Sequence, residues 1–185
     1  MGNLKGTGFK SEILYIKKRF GEEMQDRIVS TLPPEDQKLL KGAILLDRWY
    51  PAAVLERYRQ AVVAQFKDEG LAIMEAMGQN SADFALTTIY RVFLSLTSPM
   101  FIIKRANSLW PRYFDTGRVE VAENGKTDVT VRIRDWEDAS LTLCALMKGY
   151  FAKTMELSGG RMVQVKKLSC LSKGAPCCEY RVTWV

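Results

Sequence analysis

Val119-Glu120-Val121-Ala122-Glu123-Asn124-Gly125-Lys126-Thr127-Asp128-Val129-Thr130-Val131-Arg132-Ile133 is the stretch on which the fold class turns. Apolar residues alternate on both sides of Asn124-Gly125, which reads as a β-hairpin turning at that dipeptide, because both turn positions need φ > 0. Downstream, Leu143, Leu146, Met147, Tyr150, Phe151 and Met155 recur at helical spacing, so a helix is expected over roughly 139–157, stopped by Gly159-Gly160. Met162, Val163, Val165 and Leu168 suggest a third strand, and the alternation of Tyr180, Val182 and Trp184 a fourth.

Upstream of the hairpin every periodic segment reads as helix. Ser11 is expected to cap a helix carrying Ile13, Leu14, Ile16 and Phe20, and Met24, Ile28 and Leu32 mark a second helix that Pro33-Pro34 ends. Glu35 and Asp36 charge the first turn of a third, and Pro51 opens a fourth with Val54, Leu55, Tyr58, Val62 and Phe66 on one face, closed by Gly70. From Leu71 to Leu96 the chain is apolar almost all round; a break at Gly78 to Ser81 and a central core helix over 82–96 are expected. Pro99 restarts a short helix that Pro111 stops. The order of helices, hairpin, helix and two strands implies an α+β fold, a helical layer on a small antiparallel sheet of about four strands. One domain over 1–185 is expected, its helical part about 11–110 and its strand-rich part about 118–185.

The 185 residues carry a net charge of +6 and no histidine. Without imidazole the commonest general base and the Ser-His and Cys-His nucleophile pairs are missing, which argues against a self-sufficient enzyme. Histidine-ligated haem is excluded on the same ground. No phosphate-binding glycine loop is present, and basic and aromatic residues do not interleave on a strand, so nucleotide and nucleic-acid binding are not expected. No apolar run is long enough to span a bilayer and no secretory signal is visible, so a cytoplasmic protein with reduced thiols is expected.

Four cysteines are present, three of them in Cys170-Leu171-Ser172-Lys173-Gly174-Ala175-Pro176-Cys177-Cys178-Glu179-Tyr180. Thiolates on both sides of this loop, with Cys144 on the preceding helix, make Cys144, Cys170 and Cys178 a candidate zinc set, with Cys177 or Glu179 as a fourth ligand. The competing reading is that the cysteines are small buried hydrophobes. Phe84, Tyr90, Phe93, Phe101 and Trp110, with Met74 and Met77, are candidate pocket residues, although at helical spacing they serve equally as plain core. Asp135-Trp136-Glu137-Asp138 is acidic, and its simplest role is to cap the helix that follows.

The closing pattern Gly149, Glu156, Gly159, Cys170-x-x-x-Gly174-x-x-x-Cys178-Glu179-Tyr180 and Trp184 resembles the 4-vinyl-reductase-type domain. That domain is similar to TRAPP vesicle-tethering subunits and to ligand-binding domains of nitric-oxide-type signalling proteins. Phe20-Gly21-Glu22-Glu23, Leu32-Pro33-Pro34-Glu35-Asp36, Trp49-Tyr50-Pro51, Ser98-Pro99, Trp110 and Gly117 resemble an uncharacterised, mostly myxobacterial family. The resemblance implies a TRAPP-subunit-like fold, often dimeric, with an apolar core cavity. In phenol-sensing activators with this domain, cysteines and a glutamate hold zinc; the cysteines carry over to Cys144, Cys170 and Cys178, and Lys167 stands where the glutamate is expected. The function so implied is a non-enzymatic, homodimeric module that binds an apolar small molecule or acyl chain and signals through a separate protein. The alternatives are a TRAPP-like scaffold without exchangeable ligand and an accessory subunit in tetrapyrrole reduction.

Overall fold

The computed structural model describes residues 2–89 and 98–185. Two layers make up the molecule, and the inner face of one sheet explains most of the packing. Strands β3 (Arg118–Gly125), β4 (Asp128–Arg134), β5 (Gln164–Ser169) and β6 (Cys178–Thr183) form an antiparallel sheet in the order β3-β4-β6-β5. The register sets Val119 opposite Ile133, Val129 opposite Val182, Val131 opposite Tyr180 and Ile133 opposite Cys178. All of these are buried. Alternate residues face outward, where Arg134 pairs with Glu120 at 2.9 Å and Arg181 with Asp128 at 2.6 Å. One apolar and one charged face is what a period of two produces on a sheet covered on one side.

Helix α8 (Leu141–Leu157) lies across the inner face, its Phe151 ring 5.3 Å from that of Tyr180. Ser140 caps it by accepting from the Leu143 amide. Helix α5 (Gly70–Ile89) crosses α8 in the most extensive element contact among the described residues. Gly78 faces the Leu146 carbonyl and Gly149 the Glu75 carbonyl, so the two backbones meet where neither helix has a side chain. Helices α1 (Gly6–Phe20), α2 (Glu22–Ser30), α3 (Pro34–Lys41) and α4 (Ala52–Phe66) build the other side of the core around Phe9, Ile16, Ile28, Leu55, Tyr58 and Val62. Two short helices, α6 (Pro99–Lys104) and α7 (Ala106–Leu109), lead into the sheet.

A short strand β1 (Asn3–Lys5) pairs with β2 (Trp49–Pro51). It is fastened further on: the Gly2 amide donates to the Asp138 carboxylate at 3.1 Å, the Asn3 amide to Asp115 at 2.6 Å and the Lys5 amide to the Tyr113 carbonyl at 3.0 Å.

The α+β expectation with a four-stranded antiparallel sheet holds. Local details differ. The hairpin turns at Lys126 and Thr127, with a bulge between Glu123 and Gly125, and neither Asn124 nor Gly125 has positive φ. Asn124 instead spends its side-chain amide on Asp128 and Thr130. Ser11 lies inside α1 rather than at its cap. Gly70 opens α5 after a 3-10 turn at Lys67–Glu69, and α5 runs unbroken through Gly78 to Ser81. The expected core helix over 82–96 extends beyond the described residues. None of the described helices is long and apolar enough to cross a membrane.

Candidate functional site

Two candidate sites draw on α8. The first is a partly open cavity of about 420 Å³ lined mainly by residues of α1, α5, α6, α7 and α8. Leu143, Leu146, Met147, Tyr150, Phe151 and Thr154 supply the α8 wall, one stripe at helical spacing. Phe101, Ile102 and Ile103 on α6, with Leu109, Trp110 and Phe114, supply the opposite wall. Trp110 and Phe114 stack at 4.1 Å, and Trp136 meets Trp110 edge-on at 5.0 Å. Lys5, Arg105 and Arg112 add three cations to the lining.

One end of this apolar wall is charged. Arg59 on α4 forks onto Glu12 on α1, Nε donating to Oε2 at 2.9 Å and Nη2 to Oε1 at 2.6 Å. Both residues line the cavity, with Glu12 1% and Arg59 3% exposed. Glu56 stands behind them and accepts from Ser140 and Thr142 at the start of α8. Burial holds the Glu12 carboxyl above its ordinary range, against the opposing pull of Arg59.

The second site is a thiol cluster. Cys144 in the first turns of α8, Cys170 after β5 and Cys178 at the head of β6 are all buried and bring their sulfurs within 4.8 Å of one another. Cys144 Sγ lies 3.6 Å from both Cys170 Sγ and Cys178 Sγ. The loop between β5 and β6 makes this possible: a 3-10 turn at Leu171–Lys173 ends on Gly174 at φ 82°, and the Leu171 amide donates to Cys178 Sγ at 3.4 Å. Hydrogen bonding from Cys178 and the adjacent Lys167 ammonium pull the Cys144 thiol down to about 5, while Cys178 is pushed up in turn. The two thiols therefore titrate as a pair, with Lys167 favouring the first proton lost. Cys177 is buried elsewhere, its Sγ 3.9 Å from Ser169 Oγ.

Of the residues expected from sequence, Phe101 and Trp110 line the cavity and the three cysteines converge. Phe84 is half-buried outside the cavity lining, Met74 and Met77 are fully buried core, and Tyr90 and Phe93 lie outside the described residues. Asp138 does not cap a helix but holds the Gly2 amide and the Thr116 hydroxyl. The Glu12–Arg59 pair was missed, although the sequence marks it. Glu12 sits on the stripe of Phe9, Ile13 and Ile16, and Arg59 on that of Leu55 and Val62, where a solvated charge does not belong.

No family profile and no curated protein matches the sequence. Solved structures do match it in shape. An H-NOX protein from S. oneidensis in the Fe(II)NO ligation state superposes with a TM-score of 0.78 at 12% identity, over 98% of this chain and 99% of that one. The Fe(II) unliganded H-NOX protein from K. algicida gives 0.74 at 14% identity, over 98% and 97%. A structure addressing haem redox potential through porphyrin distortion gives 0.70 at 10%, over 98% and 95%. The fold is the H-NOX fold.

This overturns four sequence expectations. The 4-vinyl-reductase-type and TRAPP-like assignment gives way to the H-NOX fold, and the corresponding labels go with it. The resemblance rested on the cysteine loop, a local motif, whereas the shape match spans 98% of the chain. The apolar or lipid-like ligand, the TRAPP-like scaffold and the tetrapyrrole-reduction subunit all give way as well, since the proteins sharing this H-NOX shape carry iron and haem. Finally, the cofactor expectation set haem aside, whereas solved proteins of this shape hold haem. Its error was to let a missing imidazole stand for a missing haem, although haem iron also accepts tyrosinate and thioether ligands.

The residues at the cavity can be compared with what a haem needs. Apolar walls on both sides suit a flat macrocycle, and Arg105 and Arg112 suit its carboxylates, whereas the Lys5 ammonium is held by the Asp47 carbonyl. To hold its iron, the lining would offer Tyr113, Tyr150 and Met147 in place of histidine.

Proposed function

We propose that this chain is a cytoplasmic, non-enzymatic sensory domain of H-NOX type that carries a tetrapyrrole in the cavity between α8 and the α6–α7 segment. A second protein chain, or a second copy in a homodimer, reads its occupancy. The observation that carries the reading is the apolar cavity with arginines in its lining, set in a fold whose solved members hold haem. Bound haem would supply an iron able to take a diatomic ligand, as the ferrous iron of the S. oneidensis protein takes nitric oxide. The chain's own part is to clamp the ring between the α8 stripe and Phe101, Ile102 and Trp110, and to exclude water from it. Arg105 and Arg112 would meet its carboxylates, and Tyr113, Tyr150 or Met147 would be the residues available to hold its iron.

Titration of the purified protein with haemin tests this. A saturable 1:1 Soret band is expected, altered in Tyr113→Phe or Tyr150→Phe. Haemin that stays in its free-solution spectrum at stoichiometric protein would sink the proposal.

A second reading has its own observation. A tetrahedral ion with zinc–sulfur bonds of about 2.3 Å sets its sulfurs about 3.8 Å apart, and Cys144 stands 3.6 Å from both other sulfurs. We propose that Cys144, Cys170 and Cys178 hold one soft divalent ion that ties α8 to the β5–β6 loop. Lys167 offsets part of the thiolate charge.

A further inference from the structure

We propose that the free edge of β5 is a docking site for an extended acidic segment of a second protein, which adds to the sheet as a fifth strand. The site is separate from the cavity, and its test does not depend on what the cavity holds. β5 ends the sheet order β3-β4-β6-β5, so one side of it has no neighbouring strand. The register shows which backbone groups face that side. The Trp184 amide donates to the Thr127 carbonyl, so Trp184 points toward β4, and the Val185 amide donates the other way, to the Arg161 carbonyl. Alternation along β6 then turns Tyr180 and Val182 toward β4, and Arg181 and Thr183 toward β5. The partners of Arg181 and Thr183 are Lys166 and Gln164. The amides and carbonyls of Val165 and Lys167 are therefore directed away from β6. Among the described residues, no backbone group outside the ladder pairs with them.

Charge decides what kind of strand fits. From Leu157 to Cys178 the chain has no carboxylate, while Arg161, Lys166, Lys167 and Lys173 give it four positive charges. Lys167 turns inward, its Nζ 3.4 Å from the Tyr180 hydroxyl. Arg161, Lys166 and Lys173 are exposed. On the adjoining strands Glu179 and Asp128 are taken by Arg132 and Arg181, which leaves those three cations without an acidic partner among the described residues. A second copy of this edge is a poor occupant, because antiparallel self-pairing sets lysine against lysine. An acidic strand meets the same lysines as counter-charges. Apolar side chains lie beside the edge as well: Met162 is 78% exposed at φ 50°, and Leu168 and Val185 are exposed. They suit a strand in which apolar positions alternate with the acidic ones.

The opposite edge offers no such site, since β3 packs against α7 and carries Glu120 and Glu123. β5 is also joined to the cavity wall. The Tyr180 hydroxyl that Lys167 meets donates to the Cys144 carbonyl on α8 at 3.2 Å.

Calorimetric titration of the full chain with acetyl-Glu-Val-Glu-Val-Glu-Val-amide and with acetyl-Glu-Pro-Glu-Pro-Glu-Pro-amide tests the assignment. The two peptides carry equal charge, but proline removes every second N–H and fixes φ away from a regular strand. The valine peptide is expected to bind roughly tenfold or more tightly than the proline peptide. Amide hydrogen exchange should slow at Val165 and Lys167 when it binds. Lys166→Glu, a substitution at an exposed position, should weaken it by roughly tenfold. Binding of neither peptide overturns the proposal. Equal binding of both reduces the edge to a general attraction for anions and overturns strand addition. Slowed exchange outside β5, or undiminished affinity in Lys166→Glu, overturns the placement.

Discussion

Gly78 and Gly149 face carbonyls across the α5–α8 crossing: a Cβ on Gly78 would lie 1.9 Å from the Leu146 carbonyl oxygen, and one on Gly149 1.9 Å from that of Glu75. Backbone, unlike a side-chain tip, cannot swing aside. Gly78→Ala and Gly149→Ala are therefore each expected to cost about 3 kcal/mol, the upper range for overpacking. Urea denaturation followed by circular dichroism measures it. A loss below about 0.5 kcal/mol in either variant would mean that the crossing relaxes freely.

The Glu12–Arg59 pair should behave as a unit. Removing one partner leaves a buried charge alone, so Glu12→Gln or Arg59→Met is expected to destabilise by roughly 3–5 kcal/mol. The double replacement Glu12→Met/Arg59→Met should cost far less than the sum. Additive losses in the cycle would show that the two side chains do not couple.

Stability of the metal-free protein should depend on pH through the thiols. Cys144, at about 5 when folded, binds fewer protons than an unfolded cysteine of ordinary value, about 8.5. Its contribution is present above the unfolded value and fades as pH falls toward 5. Cys178 is shifted upward, so its contribution is present below the unfolded value and is lost at higher pH. Stability should rise from pH 5 to about 8.5 and then decline. Lys167→Met should flatten the rise, because the lysine helps to hold the thiolate. Denaturation midpoints across pH, taken with chelator present, check this; an unchanged slope in the variant would remove Lys167 from the account.

If the cluster holds an ion, elemental analysis of the purified protein should find about one soft divalent metal per chain. Cys144→Ser should abolish it and Cys177→Ser should leave it unchanged, since Cys177 is turned toward Ser169. Retention of metal in Cys144→Ser would place the ion elsewhere.

Much of the architecture was legible, because period-two and period-3.6 patterns report directly on which face is buried. Val129, Val131, Tyr180 and Val182 announced the sheet, and the α8 stripe announced both of its faces. Isolated glycines misled, because sequence does not distinguish a glycine that ends a helix from one that admits a neighbouring backbone: Gly78 looked like a break and is a contact. The Asn124-Gly125 dipeptide misled in the same way, since side-chain bonds from Asn124 and a bulge moved the turn two residues on. Loop spacing alone left the cysteine trio open between a metal set and buried core, and the family resemblance was what singled out Cys144, Cys170 and Cys178. The cavity was half legible: Phe101 and Trp110 are on its wall, but which aromatic residues face a void and which face core depends on helices far apart in sequence. Its charged end was written as two misfit residues, Glu12 and Arg59, whose partnership spans 47 positions.

The strand Asn3–Lys5 gives the molecule a particular order of assembly. Its anchors are distant, 112 positions away at Asp115 and 136 at Asp138. Its pairing with Trp49–Pro51 is much more local, so the strand can form before these two distant anchors close. Closing loops of that length is entropically unfavourable until the remainder of the core compensates, so this strap is fastened late. Leu4 and Lys5 also belong to the cavity wall, which makes completion of the ligand chamber one of the last events on the route to the native state. Whatever occupies that chamber then acts as a latch on the closing step, and holo and apo chains should differ most in how fast this strap lets go.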